Sequence, residues 1–263
     1  LDHFEDYGKP GAKPLDEAPD LVVFGRGKFG RAPTWEPGHG RRQLEYLAAQ
    51  GVRTICFHEH WSPYQSHPYC TAENAPKLRS LVAGCHAQRI NLLLYMSRQF
   101  ADNSPEWELY ADEFLQEPRL APYRRLPEQA DYIGCWNSAY RDFCLYYLGQ
   151  TLDKYGHDGW YLDGPEWPMP CHNELHGCGY LGPDGTRLPR YDIFATREFM
   201  KRLYILTRQR KPAGQLNIHN STVMVIPTSA LGRAVGAANR LTPSSRRPGP
   251  WTSCPWTPFA PSS

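Results

Sequence analysis

A chain of 263 residues with 29 Lys and Arg against 27 Asp and Glu carries a formal charge of +2. It lacks the concentrated positive field of a nucleic-acid binder, and the local Arg246–Arg247 pair does not supply one. The length suits one α/β barrel domain, typically about 250 residues, no run is apolar for long enough to span a bilayer, and eight cysteines are too few for a disulfide-built miniprotein.

The chain opens on Leu1-Asp-His-Phe-Glu-Asp6, acidic where a signal peptide is basic, and has no initiating Met, so a processed or truncated product is expected and localisation stays open. Residues 1–34 read as a connector and a first strand, Leu21-Val-Val-Phe24. The turn Gly25-Arg-Gly-Lys-Phe-Gly30 only loosely matches a dinucleotide fingerprint, with no clear helix after it and no acidic residue ending a second strand; no cofactor is expected.

From residue 35 one order recurs. A helical face of Leu44, Tyr46, Leu47 and Ala48 runs to Gly51 and the strand Val52-Arg-Thr-Ile-Cys-Phe57. Leu78, Leu81, Val82 and Cys85 line a helix leading to the strand Ile90–Tyr95. Tyr140, Phe143, Tyr147, Leu148 and Leu152 precede Gly156 and the strand Gly159–Leu162, and Phe194, Phe199, Leu203, Ile205 and Leu206 precede Gly214 and Gln215–His219. Strands this apolar predict a parallel sheet covered on both faces. An open doubly wound sheet fits too, but polar clusters follow each strand end, which is how a (β/α)8 TIM-type barrel builds its site. Residues 35–230 are therefore expected to form a barrel catalytic domain, incomplete at its C-terminus. Residues 231–263, rich in Pro, Ser and Arg, read as an irregular tail, either a disordered extension or, as the abrupt compositional change favours, the result of truncation or a frameshift.

In His157-Asp-Gly-Trp-Tyr-Leu-Asp-Gly-Pro-Glu-Trp167 an apolar strand ends in a carboxylate, a glycine turn and a second carboxylate. Asp163 and Glu166 are the candidate catalytic pair for glycoside hydrolysis, one protonating the leaving oxygen and the other attacking or stabilising the oxocarbenium-like centre. The plain alternative for Asp163 is a cap or an arginine partner. Glu59 and Glu174 are reserves, with a supporting contact and a solvated loop as their plain readings. His58, Glu59, Trp61, Arg98, Trp167, Glu174, His219 and Asn220 are the candidate carbohydrate-binding residues. Trp61, Tyr95, Trp107, Trp136, Trp160 and Trp167 fall at or near the expected rim, about half of them core; Trp61 and Trp167 are the preferred stacking platforms.

His58-Glu-His60 with His219 and Asp163 supports a second reading, a metal-dependent barrel hydrolase. A third is a carbohydrate-binding remnant without turnover. Cys171 and Cys178 bracket a polar loop and could close it as a disulfide or hold a metal with His172 and His176; the spacing is not a standard zinc pattern, so bound metal is not expected.

The runs Asp158–Gly164, Asn173–Tyr180, Phe194–Tyr204, Asn217–Ser221 and Phe57–Trp61 together resemble bacterial proteins near glycoside hydrolase family 123, over residues 35–228. The resemblance implies a barrel catalytic domain acting on glycosides, flanked in larger parents by β-rich domains. Family members that resemble N-acetylgalactosaminidases use the substrate's acetamido group as nucleophile beside an adjacent Asp-Glu pair. Here Asp163 is followed by Gly164, and Glu166 comes three residues later. The partner expected is a carbohydrate substrate, with no nucleic acid and no membrane.

Overall fold

The computed structural model describes residues 21–24, 37–57, 61–62, 64, 66–126, 129–219, 226–230, 232 and 234–236. Along the chain run β1 (Leu21–Phe24), α1 (Pro37–Ala49), β2 (Thr54–Phe57), α2 (Ala75–Ala87), β3 (Asn91–Ser97), β4 (Gln99–Ala101) and α3 (Trp107–Phe114). Then come β5 (Tyr123–Leu126), β6 (Gln129–Ile133), α4 (Tyr140–Tyr155), β7 (Gly159–Asp163), β8 (Pro170–Cys171), β9 (Tyr180–Leu181), β10 (Arg187–Leu188) and β11 (Arg190–Tyr191). The described chain closes with α5 (Ile193–Arg210), β12 (Gln215–His219), α6 (Ile226–Ser229) and β13 (Ala234–Gly236).

Six strands form one sheet in the order β1-β2-β3-β7-β12-β13, all pairs parallel. Spatial order follows chain order, so each helical crossover steps one strand onward, as in a barrel. A doubly wound sheet reverses direction part-way, and this one does not. Among the described residues β1 and β13 remain the sheet's two edges, so the barrel is partial. β13 carries the sheet past residue 230, into the segment expected to be irregular.

The two faces of the sheet separate by the two-residue period of a strand. Ile55, Leu92, Leu94, Met96, Trp160, Leu162, Leu216 and Ile218 join the main core together with Leu44, Leu47, Leu78, Val82, Leu148, Leu152, Phe199 and Leu203 of the helices. Cys56, Leu93, Tyr95 and Tyr161 form a separate cluster on the other face. The helices thus pack on one face, correcting the expectation of two covered faces; the other face corresponds to a barrel interior. Gly159 is required where β7 meets β12: its φ is +140°, and a Cβ there would lie 1.9 Å from the carbonyl oxygen of Gln215.

Helix faces follow the 3.6-residue period. α2 buries Leu78, Leu81, Val82 and Cys85, as its sequence predicts. α5 is rotated from expectation: it buries Ala195, Thr196, Phe199, Met200, Leu203 and Thr207, leaving Phe194 85% exposed. Between β3 and α4 lies an unexpected subdomain of α3 and the antiparallel sheet β4-β6-β5, built around Phe100, Phe114 and Tyr140. No helix among the described residues is long and apolar enough to cross a membrane.

Candidate active site

The inner face of the sheet presents Tyr161 and Asp163 from β7, Tyr95 and Ser97 from β3, and Asn217 and His219 from β12. Register places Ser97 opposite Asp163 at the C-terminal ends of their strands. The Tyr95 hydroxyl donates to Oδ2 of Asp163 at 3.0 Å, fixing the carboxylate's orientation. Tyr95 and Tyr161 stack with ring centroids 6.2 Å apart. Burial, then the charges of Cys56, Asp163 and Glu166, push the Tyr161 phenol far up, so it stays protonated. Its hydroxyl is hydrogen-bonded to Nδ1 of His219 at 2.6 Å, the direction set by the tautomer of the ring.

Three residues beyond Asp163, Glu166 is 2% exposed, and neither carboxylate oxygen has a hydrogen-bond partner. Burial, reinforced by Asp163, pushes its pKa up to about 8, the amides of Glu166 and Gly164 offsetting part of the rise without reaching hydrogen-bond geometry. A carboxyl in this state is protonated at neutral pH and can give that proton away. A Cβ on Gly164 would lie 3.8 Å from the Trp167 ring and 4.0 Å from the Ser97 hydroxyl, so all three crowd the turn between the two carboxylates.

Several sequence candidates are placed elsewhere. Arg98 is 1% exposed: it pairs with Asp192, donates from Nε to the Gly134 carbonyl at 2.6 Å and from Nη1 to the Trp167 carbonyl at 2.8 Å, and lies over the Trp136 ring. With its donors spent inside the protein it fixes the start of the loop after β7, which corrects its assignment as a sugar ligand. Trp61, 3% exposed and donating from Nε1 to the Tyr95 carbonyl at 3.0 Å, is core and no stacking platform. Trp136 and Trp160 are core as well, while Trp167 is half-buried. Glu174 is exposed and paired with Arg187 at 2.7 Å, its plain reading. His58, Glu59, His60 and Asn220 lie outside the described residues, as do Gly25–Gly30 and Arg246–Arg247.

Sequence reasoning missed Tyr161 and Asn217 as inner-face residues. The signal was available for Tyr161, which precedes Asp163 by two positions on a strand and must share its face. Asn217 is 3% exposed with its Oδ1 unpartnered.

No protein-family model and no curated protein matches the chain. Solved structures do. A family GH13_31 enzyme has a TM-score of 0.52 at 14% identity, covering 78% of this chain and 46% of that one. The α-galactosidase of Thermus thermophilus in complex with stachyose has a TM-score of 0.53 at 14% identity, over 82% of this chain and 42% of that one. A cycloisomaltooligosaccharide glucanotransferase from Paenibacillus sp., complexed with cycloisomaltoheptaose, has a TM-score of 0.53 at 11% identity, over 76% and 30%. The chain spans less than half the length of each. At these identities the likeness is one of fold: the chain has a glycoside hydrolase-like α/β architecture, shared with enzymes of families 13, 31 and 36.

Proposed function

We propose that this chain is the barrel part of a glycoside hydrolase in which Asp163 and Glu166 are the catalytic carboxylates. The observation that carries the reading is the difference between them: on one strand end, Asp163 is half-buried and oriented by Tyr95, and Glu166 is buried, unpartnered and raised to about 8. Glycosidic cleavage needs one carboxyl to protonate the departing oxygen and one carboxylate to meet the positive charge growing at the anomeric carbon. Glu166 takes the first role and Asp163 the second. The Tyr161–His219 pair, on the same face, supplies hydrogen bonds to sugar hydroxyls, and Trp167 offers a ring face beside the turn. The family 123 resemblance supports the same reaction class through Asp163.

Leaving-group dependence tests these roles. A general acid matters little when the leaving group is already a weak base. Glu166→Gln should keep turnover of a dinitrophenyl glycoside within about tenfold while cutting that of an alkyl glycoside by about a thousandfold. Equal losses on both remove Glu166 from the acid role. Sugar binding without turnover in the longest encoded protein that contains this chain favours the carbohydrate-binding reading.

A further inference from the structure

We propose that Cys135, Cys171, Cys178 and His176 bind one zinc(II) ion, which rivets the long loop between β7 and α5 to the subdomain inserted after β3. The four ligand atoms all lie within 4.8 Å of one another. Sγ of Cys135 is 3.7 Å from Sγ of Cys178, and Nδ1 of His176 is 3.3 Å from the same sulfur. A tetrahedral ion with Zn–S near 2.3 Å and Zn–N near 2.0 Å sets its ligand atoms about 3.5–3.8 Å apart. The Cys135–Cys178 edge fits, and the His176 edge needs only a few tenths of an ångström. A cage of several irons would need its thiolates spread wider around it.

The surroundings suit thiolates. The three cysteines form a buried cluster of their own. Backbone amides of Glu117 and Asn173 donate to the Cys171 sulfur at 3.4 and 3.5 Å, and Nδ2 of Asn137 donates to that of Cys178 at 3.3 Å. Donors aimed at sulfur orient metal-bound thiolates and spread their charge. Between the last two ligands Gly177, at φ +67°, makes the tight turn that returns Cys178 towards His176. A disulfide accounts for less: its sulfurs stand about 2.05 Å apart, and it would strand the third thiol and the imidazole. All three cysteines are free.

The loop also needs a fastener. From Gly164 to Asp192 it holds only strands of two residues and one short 3-10 turn, Glu174–His176, and exposes Leu175, Tyr180, Leu181 and Tyr191, so little apolar burial orders it. Metal binding supplies folding free energy where a core does not. Ligation costs no redox equivalent: each thiol releases its proton to solvent and the sulfur lone pair goes to the ion.

The test is the metal content of the full chain, purified reduced and reconstituted with zinc, measured by plasma mass spectrometry beside non-reducing intact mass. The expected result is about one zinc per chain, a fall of several degrees in Tm with a chelator, and, after replacement by cobalt(II), the intense visible bands of a tetrahedral thiolate site. Cys178→Ser and His176→Ala should weaken zinc binding about tenfold or more. His172→Ala should not, because its Nδ1 faces the Arg187 carbonyl instead. Zinc below about a tenth of an equivalent, iron in its place, a Cys135–Cys178 disulfide, or a pale octahedral cobalt spectrum on the wild-type chain each overturns the proposal. These readouts do not depend on the glycosidase reading, and the cobalt spectrum needs no variant to fold.

Discussion

β7 begins just after one carboxylate and ends on another, and the two ends are built in opposite ways. Asp158, ahead of the strand, is satisfied: Oδ2 accepts from the Leu92 amide at 2.9 Å and meets Nε2 of His86 at 2.8 Å, and Oδ1 accepts from Lys211 at 2.9 Å. Burial pushes its pKa up, but the Leu92 amide, Lys211 and His86 outweigh that and hold it below the ordinary carboxylate value. At the other end burial wins for Glu166, because the nearby amides of Glu166 and Gly164 offset only part of it and neither carboxylate oxygen has a hydrogen-bond partner. In barrel folds the N-terminal end of the strands serves stability and the C-terminal end serves chemistry. Two carboxyl groups a few residues apart, on Asp158 and Glu166, are thus divided by what surrounds them.

The sharpest way to break the comparison is to remove charge at each end. Asp163→Asn should cut glycoside turnover by about a thousandfold while leaving Tm within a few degrees, since its one described partner is a tyrosine hydroxyl. Asp158→Ala should do the reverse, lowering stability by about 2–3 kcal/mol through loss of charged hydrogen bonds while turnover of the folded fraction holds. Chemical denaturation and steady-state kinetics on both variants decide it. A destabilised Asp163→Asn with normal turnover would invert the assignment.

A smaller effect is expected in the pH dependence of stability. Between the ordinary 4.5 and about 8, folded Glu166 keeps a proton that the unfolded chain has lost, so stability falls as pH rises through that window and levels off above it. His157 acts with opposite sign. It is fully buried against Trp160, with both ring nitrogens unpartnered, and burial lowers its pKa from 6.5 to about 3. Stability from that source is lost as pH falls from 6.5 towards 3. Each slope approaches about 1.4 kcal/mol per pH unit at most. Glu166→Gln should flatten the alkaline limb alone, and His157→Gln the acid limb alone, in urea titrations across pH.

Much of the sheet was legible because its signals are local: a helical period, a glycine, an apolar run. The place of Asp163 at the C-terminal end of β7 was legible because the apolar run stops on it. What escaped depends on distant pairing. Arg98 looks like a polar residue after a strand until Asp192, 94 positions later, takes its charge. The subdomain after β3 uses strands of three to five residues, too short to show a period. In α5, Phe194 and Ile205 suggested a buried face, yet both are exposed and the helix turns Ala195, Thr196 and Thr207 inward beside Phe199, Met200 and Leu203. Cys135 carried no sign that it would meet Cys171 and Cys178, since thiols from separate elements share no spacing rule.

The smallest expected effect concerns Glu174, a carboxylate on the loop after β7. It is 72% exposed, and its bond to the Arg187 guanidinium is largely in water. Exposed pairs of this kind are worth from nothing to about 1 kcal/mol, because solvent screens the attraction and holding two long side chains together costs entropy. Glu174→Gln should therefore leave Tm and turnover near wild type even though it begins the helical turn that carries His176. The variant separates charge from position on this loop. If the Cys135–Cys171–Cys178–His176 cluster fastens the segment, removing an exposed ion pair beside it changes little; if the pair itself holds the loop, Glu174→Gln and Arg187→Gln should each lower Tm and expose the thiols to a labelling reagent.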